Sequence, residues 1–189
     1  MSSREFPAGV ALVELRTRAD HRGAFTEVFR EEWDVGLRPL QWNVVASRRG
    51  VLRGFHVHVR HWDYLIVVAG RATIGLRDLR RRAPTFALAT TVELSGATLR
   101  ALLIPPGVGH GFYFHESSLH VYSVSAYWDL ADELGCHWAD PALEIAWPCA
   151  EAELSPRDAS ARSLAALMAE LEPRQKHYAA ASNLARSPI

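Results

Sequence analysis

The stretch G-V-L-R-G-F-H-V-H-V-R-H-W-D-Y-L-I-V-V-A-G, residues 50–70 of 189, is the part of the sequence that points most directly to a fold. It places His56 and His58 two residues apart. Residues i and i+2 of a β-strand point to the same face, so we expect both imidazoles to enter one cavity. The apolar run at 64–69 is β-branched in its middle and is followed by Gly70, a pattern that is typical of a buried strand. The stretch therefore predicts a polar cavity wall joined to a buried strand.

Short segments with strand character lie on both sides of this stretch. They are residues 24–29, 40–47, 71–80, 85–93, 98–104, 110–114 and 119–127. Many short strands spaced by about 8–12 residues predict an all-β barrel or sandwich. A helix is predicted only at about 160–171, where leucines and a methionine recur at helical spacing. No repeat or linker interrupts the pattern, so residues 1–189 are predicted to form a single domain.

The composition favours a soluble cytoplasmic protein. Apolar residues make up 49% of the chain, and 21 basic residues balance 21 acidic ones, which gives no broad electrostatic attraction to nucleic acid or membrane. The N-terminal residues are polar, no apolar run approaches the roughly 20 residues that span a bilayer, and Cys136 and Cys149 form no C-x-x-C pair.

The spacing of the histidines resembles the two signature motifs of the cupin superfamily, G-x5-H-x-H-x(3,4)-E-x6-G and P-x-G-x-x-H. The first motif matches residues 50–70 with aspartate in the acidic position, and the second matches residues 105–110. The resemblance implies a small jelly-roll β-barrel, to which the short C-terminal helix predicted above is added. It also implies four metal ligands: His56, His58, Asp63 and His110. Such ligands suit Zn, Fe, Ni, Mn or Co, but the same residues could line a cavity that holds no metal.

The chain from about residue 12 to residue 164 resembles one family more closely, the dTDP-4-dehydrorhamnose 3,5-epimerases. Ten blocks match in order. They are R-G-A-F-T-E (22–27), Q-W-N (41–43), V-L-R-G-F-H (51–56), D-L-R (78–80), A-P-T-F (83–86), I-P-P-G-V-G-H-G-F (104–112), Y-S-V-S-A-Y-W (122–128), W-A-D-P (138–141), I-A-W-P (145–148) and L-S-P-R-D (154–158).

This resemblance implies proton abstraction next to the carbonyl of a dTDP-4-keto-6-deoxysugar, at C3, C5 or both, by a homodimer that requires no cofactor. His56 would be the base, Asp158 its orienting carboxylate and Tyr122 the acid on the other face of the sugar. The residues implied to bind the substrate are Arg22, Glu27, Gln41, Asn43, Arg53, His110 and Arg157. Ordinary core hydrogen bonds for Tyr122 and Asp158, and a solvated surface for the arginines, are the alternative interpretations.

Two positions depart from the family pattern. Alignment on Gly70 puts Asp63 where the family has a catalytic lysine, and the only lysine of the chain is Lys176, far away in the tail. His58 stands where the family usually has glutamine. Both changes make the sequence more similar to the metal-binding cupin motif. This leads to the hypothesis that a bound divalent metal acts as a Lewis acid in place of the lysine. If His56 were itself a ligand, however, it could not also be the base.

Three other functions remain open from the sequence. R-G-F-H-V-H at 53–58 also resembles the R-G-x-H-A-H stretch of dTDP-4-keto-6-deoxyglucose 3,4-ketoisomerases, although those chains lack the L-S-x-x-D block. A metal-dependent cupin oxygenase, cyclase or isomerase with a non-nucleotide substrate is the second. A non-catalytic binding protein on the same fold is the third.

Overall fold

Two five-stranded antiparallel sheets and a separate two-stranded hairpin make up the chain in a computed structural model that describes residues 5–33 and 35–177. Their strands are β1 (Ala11–Glu14), β2 (Thr17–Asp20), β3 (Gly23–Thr26), β4 (Gln41–Ser47), β5 (Leu52–Val57), β6 (Asp63–Ala69), β7 (Arg71–Asp78), β8 (Ala89–Ser95), β9 (Arg100–Ile104), β10 (Val108–Phe114), β11 (Ser118–Val124) and β12 (Leu134–Gly135). The first sheet has the order β1-β9-β6-β11-β4, the second has the order β12-β5-β10-β7-β8, and β2 pairs with β3.

The main core lies between the two sheets. Leu65 and Leu102 of the first sheet pack with Ile74, Val92 and Phe114 of the second. Each of these side chains is buried, because alternate residues of the strands point inward from both sheets. This arrangement confirms the predicted all-β jelly roll, and the run at 64–69 is indeed a buried strand, β6.

The predicted helix at 160–171 is shorter than expected and is preceded by a separate helical turn. The structure has α1 (Pro156–Ala159) and α2 (Leu164–Leu171), so the segment between them was wrongly predicted to be helical. Ser163 begins a new helix, because its hydroxyl accepts a hydrogen bond of 3.3 Å from the Ala166 amide. Leu164, Leu167 and Leu171 are buried in a second core cluster, as their helical spacing predicts. A 3₁₀-helix follows at Glu172–His177.

Several strand boundaries also differ from prediction. β8 begins at Ala89 rather than at 85, since the Thr85 hydroxyl donates to Asp78 across 2.6 Å and holds this segment in turns. β3 ends at Thr26, before Glu27, and β11 ends at Val124 rather than at 127.

The pairing of β5 with β10 brings the two histidine motifs together. His56 lies directly opposite His110 in this antiparallel pair. The strands approach closely at Gly54, which has φ of +125°, and a Cβ there would lie 2.7 Å from the Cα of Gly111. No helix among residues 5–33 and 35–177 is long and apolar enough to cross a membrane.

Candidate active site

A cavity of about 440 Å³ lies between the two sheets and is lined by side chains from both. It collects most of the residues that the sequence singles out. Those that line it are Gln41, Asn43, Arg53, His56, His58, Asp63, His110, Tyr122 and Asp158. Because this concave space gathers so many polar groups from distant parts of the chain, it is the candidate active site.

A hydrogen-bonded histidine–aspartate pair lies in the wall of this cavity. The Nε2 atom of His56, on β5, lies 2.7 Å from Oδ1 of Asp158, on α1. The Gly54 amide donates to the other carboxylate oxygen across 3.4 Å. Burial is the largest single influence and favours the neutral acid, but the hydrogen bond and charge of His56, with hydrogen bonds from Gly54 and Ser155, together lower the pKa of Asp158. The carboxylate therefore stays ionised and holds the imidazole in one orientation.

Tyr122 reaches the cavity from the other sheet. It lies on β11, whereas His56 lies on β5, so the two side chains face the same space from opposite sheets. Burial, reinforced by the nearby charges of Asp63 and Glu133, raises the pKa of the Tyr122 hydroxyl. The phenol is therefore protonated at neutral pH and can donate a proton.

Polar side chains from β4 and β5 line another part of the wall. Gln41 donates to the Asn43 side-chain oxygen across 3.0 Å, and its own oxygen accepts from the Trp128 amide at 3.1 Å. Arg53 donates to the Ser47 hydroxyl at 2.9 Å. These contacts hold two amides and one guanidinium at the cavity surface, where they can bind polar groups of a ligand.

Three predicted binding residues lie elsewhere. Arg22 is exposed on the β2–β3 hairpin and pairs with Asp20, while Glu27 pairs with Arg30. Arg157 lines a smaller neighbouring cavity of about 250 Å³ behind the His56–Asp158 pair. The structure therefore does not bring these three residues into the main cavity of the same chain.

A cluster of buried histidines lies beside the His56–Asp158 pair. The ring of His58 stacks on that of His61, with ring centroids 4.1 Å apart. The centroid of the His110 ring lies 5.2 Å from that of His58. Burial, reinforced by His61 and His56, lowers the pKa of His58 to about 3. Burial, together with His58, also holds the pKa of His110 well below its usual value. Both imidazoles are therefore neutral at neutral pH.

Carboxylates complete this cluster. Burial raises the pKa of Asp63 to about 7, although the neighbouring His61 acts in the opposite direction. The His61 ring lies between two acids, with Nε2 3.8 Å from Asp63 and Nδ1 3.3 Å from Asp132. One ligand atom from each of His58, Asp63 and His110 lies within 4.8 Å of the other two. Three of the four predicted metal ligands thus converge, while His56 belongs to neither metal-type group found within the described residues.

His120 is a cavity residue that the sequence prediction missed. It is 3% exposed, and its Nδ1 has no hydrogen-bond partner within residues 5–33 and 35–177. Burial, with Arg53 nearby, lowers its pKa to about 4. The only sequence signal is the alternation of β11, which puts His120 on the same face as Tyr122.

Comparison with known proteins identifies the family. The family model described as dTDP-4-dehydrorhamnose 3,5-epimerase matches residues 7–166. The chain is 36% identical over 166 residues to a dTDP-4-dehydrorhamnose 3-epimerase of Streptomyces niveus, covering 83% of this chain and 80% of the relative. It is 35% identical over 168 residues to a dTDP-4-dehydrorhamnose 3,5-epimerase of Pseudomonas aeruginosa, covering 82% of this chain and 91% of the relative.

Solved structures of such enzymes share the fold. A dTDP-6-deoxy-D-glucose-3,5-epimerase of Legionella pneumophila, crystallised with dTDP-4-keto-L-rhamnose, matches with a TM-score of 0.81 and 34% identity, covering 86% of this chain and 92% of that one. A 3′-monoepimerase of Streptomyces bikiniensis, crystallised with dTDP-quinovose, matches with a TM-score of 0.83 and 29% identity. The match covers 94% of this chain and 96% of that one. These are isomerases, and the protein described here belongs to the dTDP-4-dehydrorhamnose 3,5-epimerase family.

Proposed function

We propose that this protein epimerises a dTDP-4-keto-6-deoxysugar at a carbon next to the carbonyl, in deoxysugar or secondary-metabolite biosynthesis. The main support is the His56–Asp158 pair, joined across 2.7 Å in the wall of a cavity large enough for a sugar nucleotide's reacting end. The relatives named above are epimerases, which favours this reaction over 3,4-ketoisomerisation.

The proposed reaction is a pair of proton transfers. A 4-keto group acidifies the protons on C3 and C5, and His56 removes one of them. Asp158 accepts a hydrogen bond from Nε2 and so fixes the tautomer in which Nδ1 is basic. Tyr122, protonated and on the opposite sheet, returns a proton from the other face, which inverts the carbon. Side chains of the protein perform both transfers.

We further propose that two copies of the chain pair and complete each other's cavities. Arg22 and Glu27 belong to matching blocks of the family yet lie outside the cavity of their own chain. The strand β4 is at the edge of its sheet and exposes Trp42 and Val44, which are 44% and 67% exposed. An exposed apolar edge strand is a surface that a second copy can cover. In this proposed dimer, the hairpin arginine of one copy serves the cavity of the other.

Product analysis tests the proposed reaction. The purified protein should convert dTDP-4-keto-6-deoxyglucose to a C3 or C5 epimer, detected by proton NMR, and His56→Asn should abolish the conversion while dTDP binding persists. A non-catalytic binding protein would bind dTDP equally well in both forms and convert nothing in either. That result would refute the proposed function.

A further inference from the structure

We propose that His120 is a specificity-determining residue that hydrogen-bonds the hydroxyl group on C2 of the sugar. This residue lies on β11, two positions before Tyr122, so both side chains point from one face of the strand into the cavity. It belongs to none of the sequence blocks that match the family, and the proton transfers proposed above do not involve it. The assignment rests on the proposed function, because it takes a dTDP-4-keto-6-deoxysugar as the ligand.

The His120 ring is buried in the cavity wall without a protein partner for one of its nitrogens. The residue is 3% exposed, and its Nδ1 makes no hydrogen bond within residues 5–33 and 35–177. Asn43, which also lines the cavity, has a buried Nδ2 that lacks a partner in the same described residues. It lies directly across from Tyr122 on the neighbouring strand β4. Buried polar groups are nearly always hydrogen-bonded, so two such groups beside the proposed acid indicate a surface that binds a polar ligand.

Aromatic rings surround the imidazole and keep it uncharged. Its ring centroid lies 5.4 Å from that of Phe114, with nearly parallel planes, and 5.9 Å from that of Phe112. Burial, with the charge of Arg53 as the smaller influence, lowers the pKa of His120 to about 4. A hydroxyl both donates and accepts hydrogen bonds, so it suits a neutral imidazole whose tautomer is not fixed by a protein partner on Nδ1. This chemistry favours an uncharged hydroxyl over a phosphate oxygen.

The neighbours of His120 indicate which hydroxyl it meets. Its ring centroid lies 6.0 Å from that of Tyr122, the proposed acid. Its ring also lies beside that of Phe112, which is opposite Arg53 in the pairing of β10 with β5. The acid must lie at a reacting carbon, whereas a guanidinium suits the diphosphate. In the substrate, C2 lies between C3, one of the two acidic carbons, and C1, which carries the diphosphate. The only polar group on C2 is its hydroxyl.

The consequence is a preference for sugars that keep the C2 hydroxyl. A site that hydrogen-bonds a hydroxyl discriminates against an analogue that lacks it, because a buried protein group then loses its partner. A sugar nucleotide with only hydrogen at C2 should therefore bind less tightly, although its nucleoside and diphosphate are unchanged. His120 thus acts against 2-deoxysugars at the binding step.

Calorimetric titration with two unreactive ligands tests the assignment. Because dTDP-glucose and dTDP-2-deoxyglucose have no 4-keto group, binding is measured without turnover, and the two ligands differ only in the C2 hydroxyl. Wild-type protein should bind dTDP-glucose about 5- to 100-fold more tightly, as expected when one buried group loses its hydrogen-bond partner. A ratio below about fivefold, or no binding of either ligand by folded protein, would overturn the proposal.

Matched variants assign the preference to His120. His120→Phe keeps a ring but has no nitrogen, so it should bind both ligands with nearly equal affinity. His115→Phe is the control and should keep the wild-type ratio, because the His115 ring bonds to Thr73 at 2.8 Å and does not line the cavity. Thermal melting identifies folded variants, and His120→Leu is used if His120→Phe does not fold. A wild-type ratio in a folded His120 variant, or loss of the ratio in folded His115→Phe, would contradict the assignment.

Turnover distinguishes this proposal from the proposed function. Protein that epimerises dTDP-4-keto-6-deoxyglucose but binds both unreactive ligands equally would retain the function and refute the role of His120. Protein that discriminates between the two ligands but exchanges no substrate proton would retain the hydroxyl site and refute the epimerase.

Discussion

His56 differs from His58 and His110 in its hydrogen-bond partner. Asp158 holds its Nε2 at 2.7 Å, whereas Nδ1 of His58 and Nδ1 of His110 hydrogen-bond to backbone carbonyls, and the Glu133 carboxylate lies 3.7 Å from Nδ1 of His58. A carboxylate partner stabilises the protonated imidazole that forms during proton abstraction, and a carbonyl does so less strongly. This contact supports the proposed role of His56 as the base.

Substitution of Asp158 by asparagine tests the base assignment. Asp158→Asn keeps the size of the side chain but removes the charge that orients His56, so we expect kcat to fall about 10²–10⁴-fold with dTDP affinity unchanged. Steady-state kinetics and calorimetric titration with dTDP measure the two effects. Glu93→Gln, which removes an exposed carboxylate paired with Arg71, is the control and should leave kcat unchanged. Equal kcat values for Asp158→Asn and wild type would exclude the dyad from the reaction.

Substitution of His120 by phenylalanine should stabilise the fold and weaken ligand binding. Its Nδ1 is buried without a partner in the described chain, and its ring lies among Phe112, Phe114 and Tyr122. His120→Phe removes an unsatisfied polar group, so we expect the free energy of unfolding to rise by about 1 kcal/mol. Affinity for the sugar nucleotide should fall, because the other ring nitrogen can no longer bond to it. Chemical denaturation and calorimetry test both; unchanged affinity would show that His120 does not contact the ligand.

The motif blocks linked His56 to Asp158, the proposed base and its carboxylate, but gave no information about the residues packed around them. His56 and Asp158 are 102 positions apart, and only the order of motif blocks linked them before the structure placed them in contact. The roles of His61 and Asp132 depend on a loop conformation that no periodicity encodes. His120 appeared only as one member of an alternating strand, since burial without a partner is a property of packing.

At the level of elements, the close pairing of β5 and β10 aligns the site. His56 and His110 lie directly opposite each other because Gly54 and Gly111 let the backbones approach. A side chain at Gly54 would meet the Gly111 Cα at 2.7 Å and the His110 oxygen at 3.0 Å. The geometry of the site therefore depends on a residue that takes no part in the chemistry.

Two glycine substitutions separate backbone strain from crowding. Gly54 and Gly50 both have positive φ, but a Cβ at Gly50 would meet no atom within 4 Å. We expect Gly50→Ala to cost about 1 kcal/mol of stability from the backbone conformation alone. Gly54→Ala should cost more, about 3 kcal/mol, and should lower kcat by shifting His56. Urea denaturation and kinetics measure the effects, and equal costs at the two positions would show that the close approach is unimportant.

Strand existence was easier to predict than strand and helix ends. The period-two pattern identified β4 and β11 because one face of each lines the cavity. The start of β8 was missed because a side-chain hydrogen bond from Thr85 to Asp78 stabilises turns in a β-prone segment. The start of α2 was missed because two serines fit a helix by pattern, whereas Ser163 caps one.

At the level of the whole molecule, the proposed dimer accounts for two predicted binding residues, Arg22 and Glu27, that do not line the cavity of their own chain. The β2–β3 hairpin is exposed along both strands, and Arg22 at its turn has a side chain that is 78% exposed. In the proposed dimer, an arginine in that position serves the cavity of the other copy.

Subunit complementation tests this arrangement. Alone, His56→Asn should be inactive and Arg22→Ala should be weakly active, because every cavity of either variant lacks one group. After mixing and subunit exchange, the cavity of the Arg22→Ala chain regains an arginine from its partner, and activity should recover. Light scattering confirms that dimers are present. No recovery despite mixed dimers would show that Arg22 serves its own chain or serves no cavity.

Deuterium incorporation tests the central claim most directly. In D₂O, wild-type protein should place deuterium at C3, C5 or both of dTDP-4-keto-6-deoxyglucose, as followed by NMR and mass spectrometry. His56→Asn should incorporate none, and Tyr122→Phe should exchange protons without inverting the carbon, because the base alone can remove and return them. Absence of deuterium at both carbons with wild-type protein that binds dTDP would contradict the account.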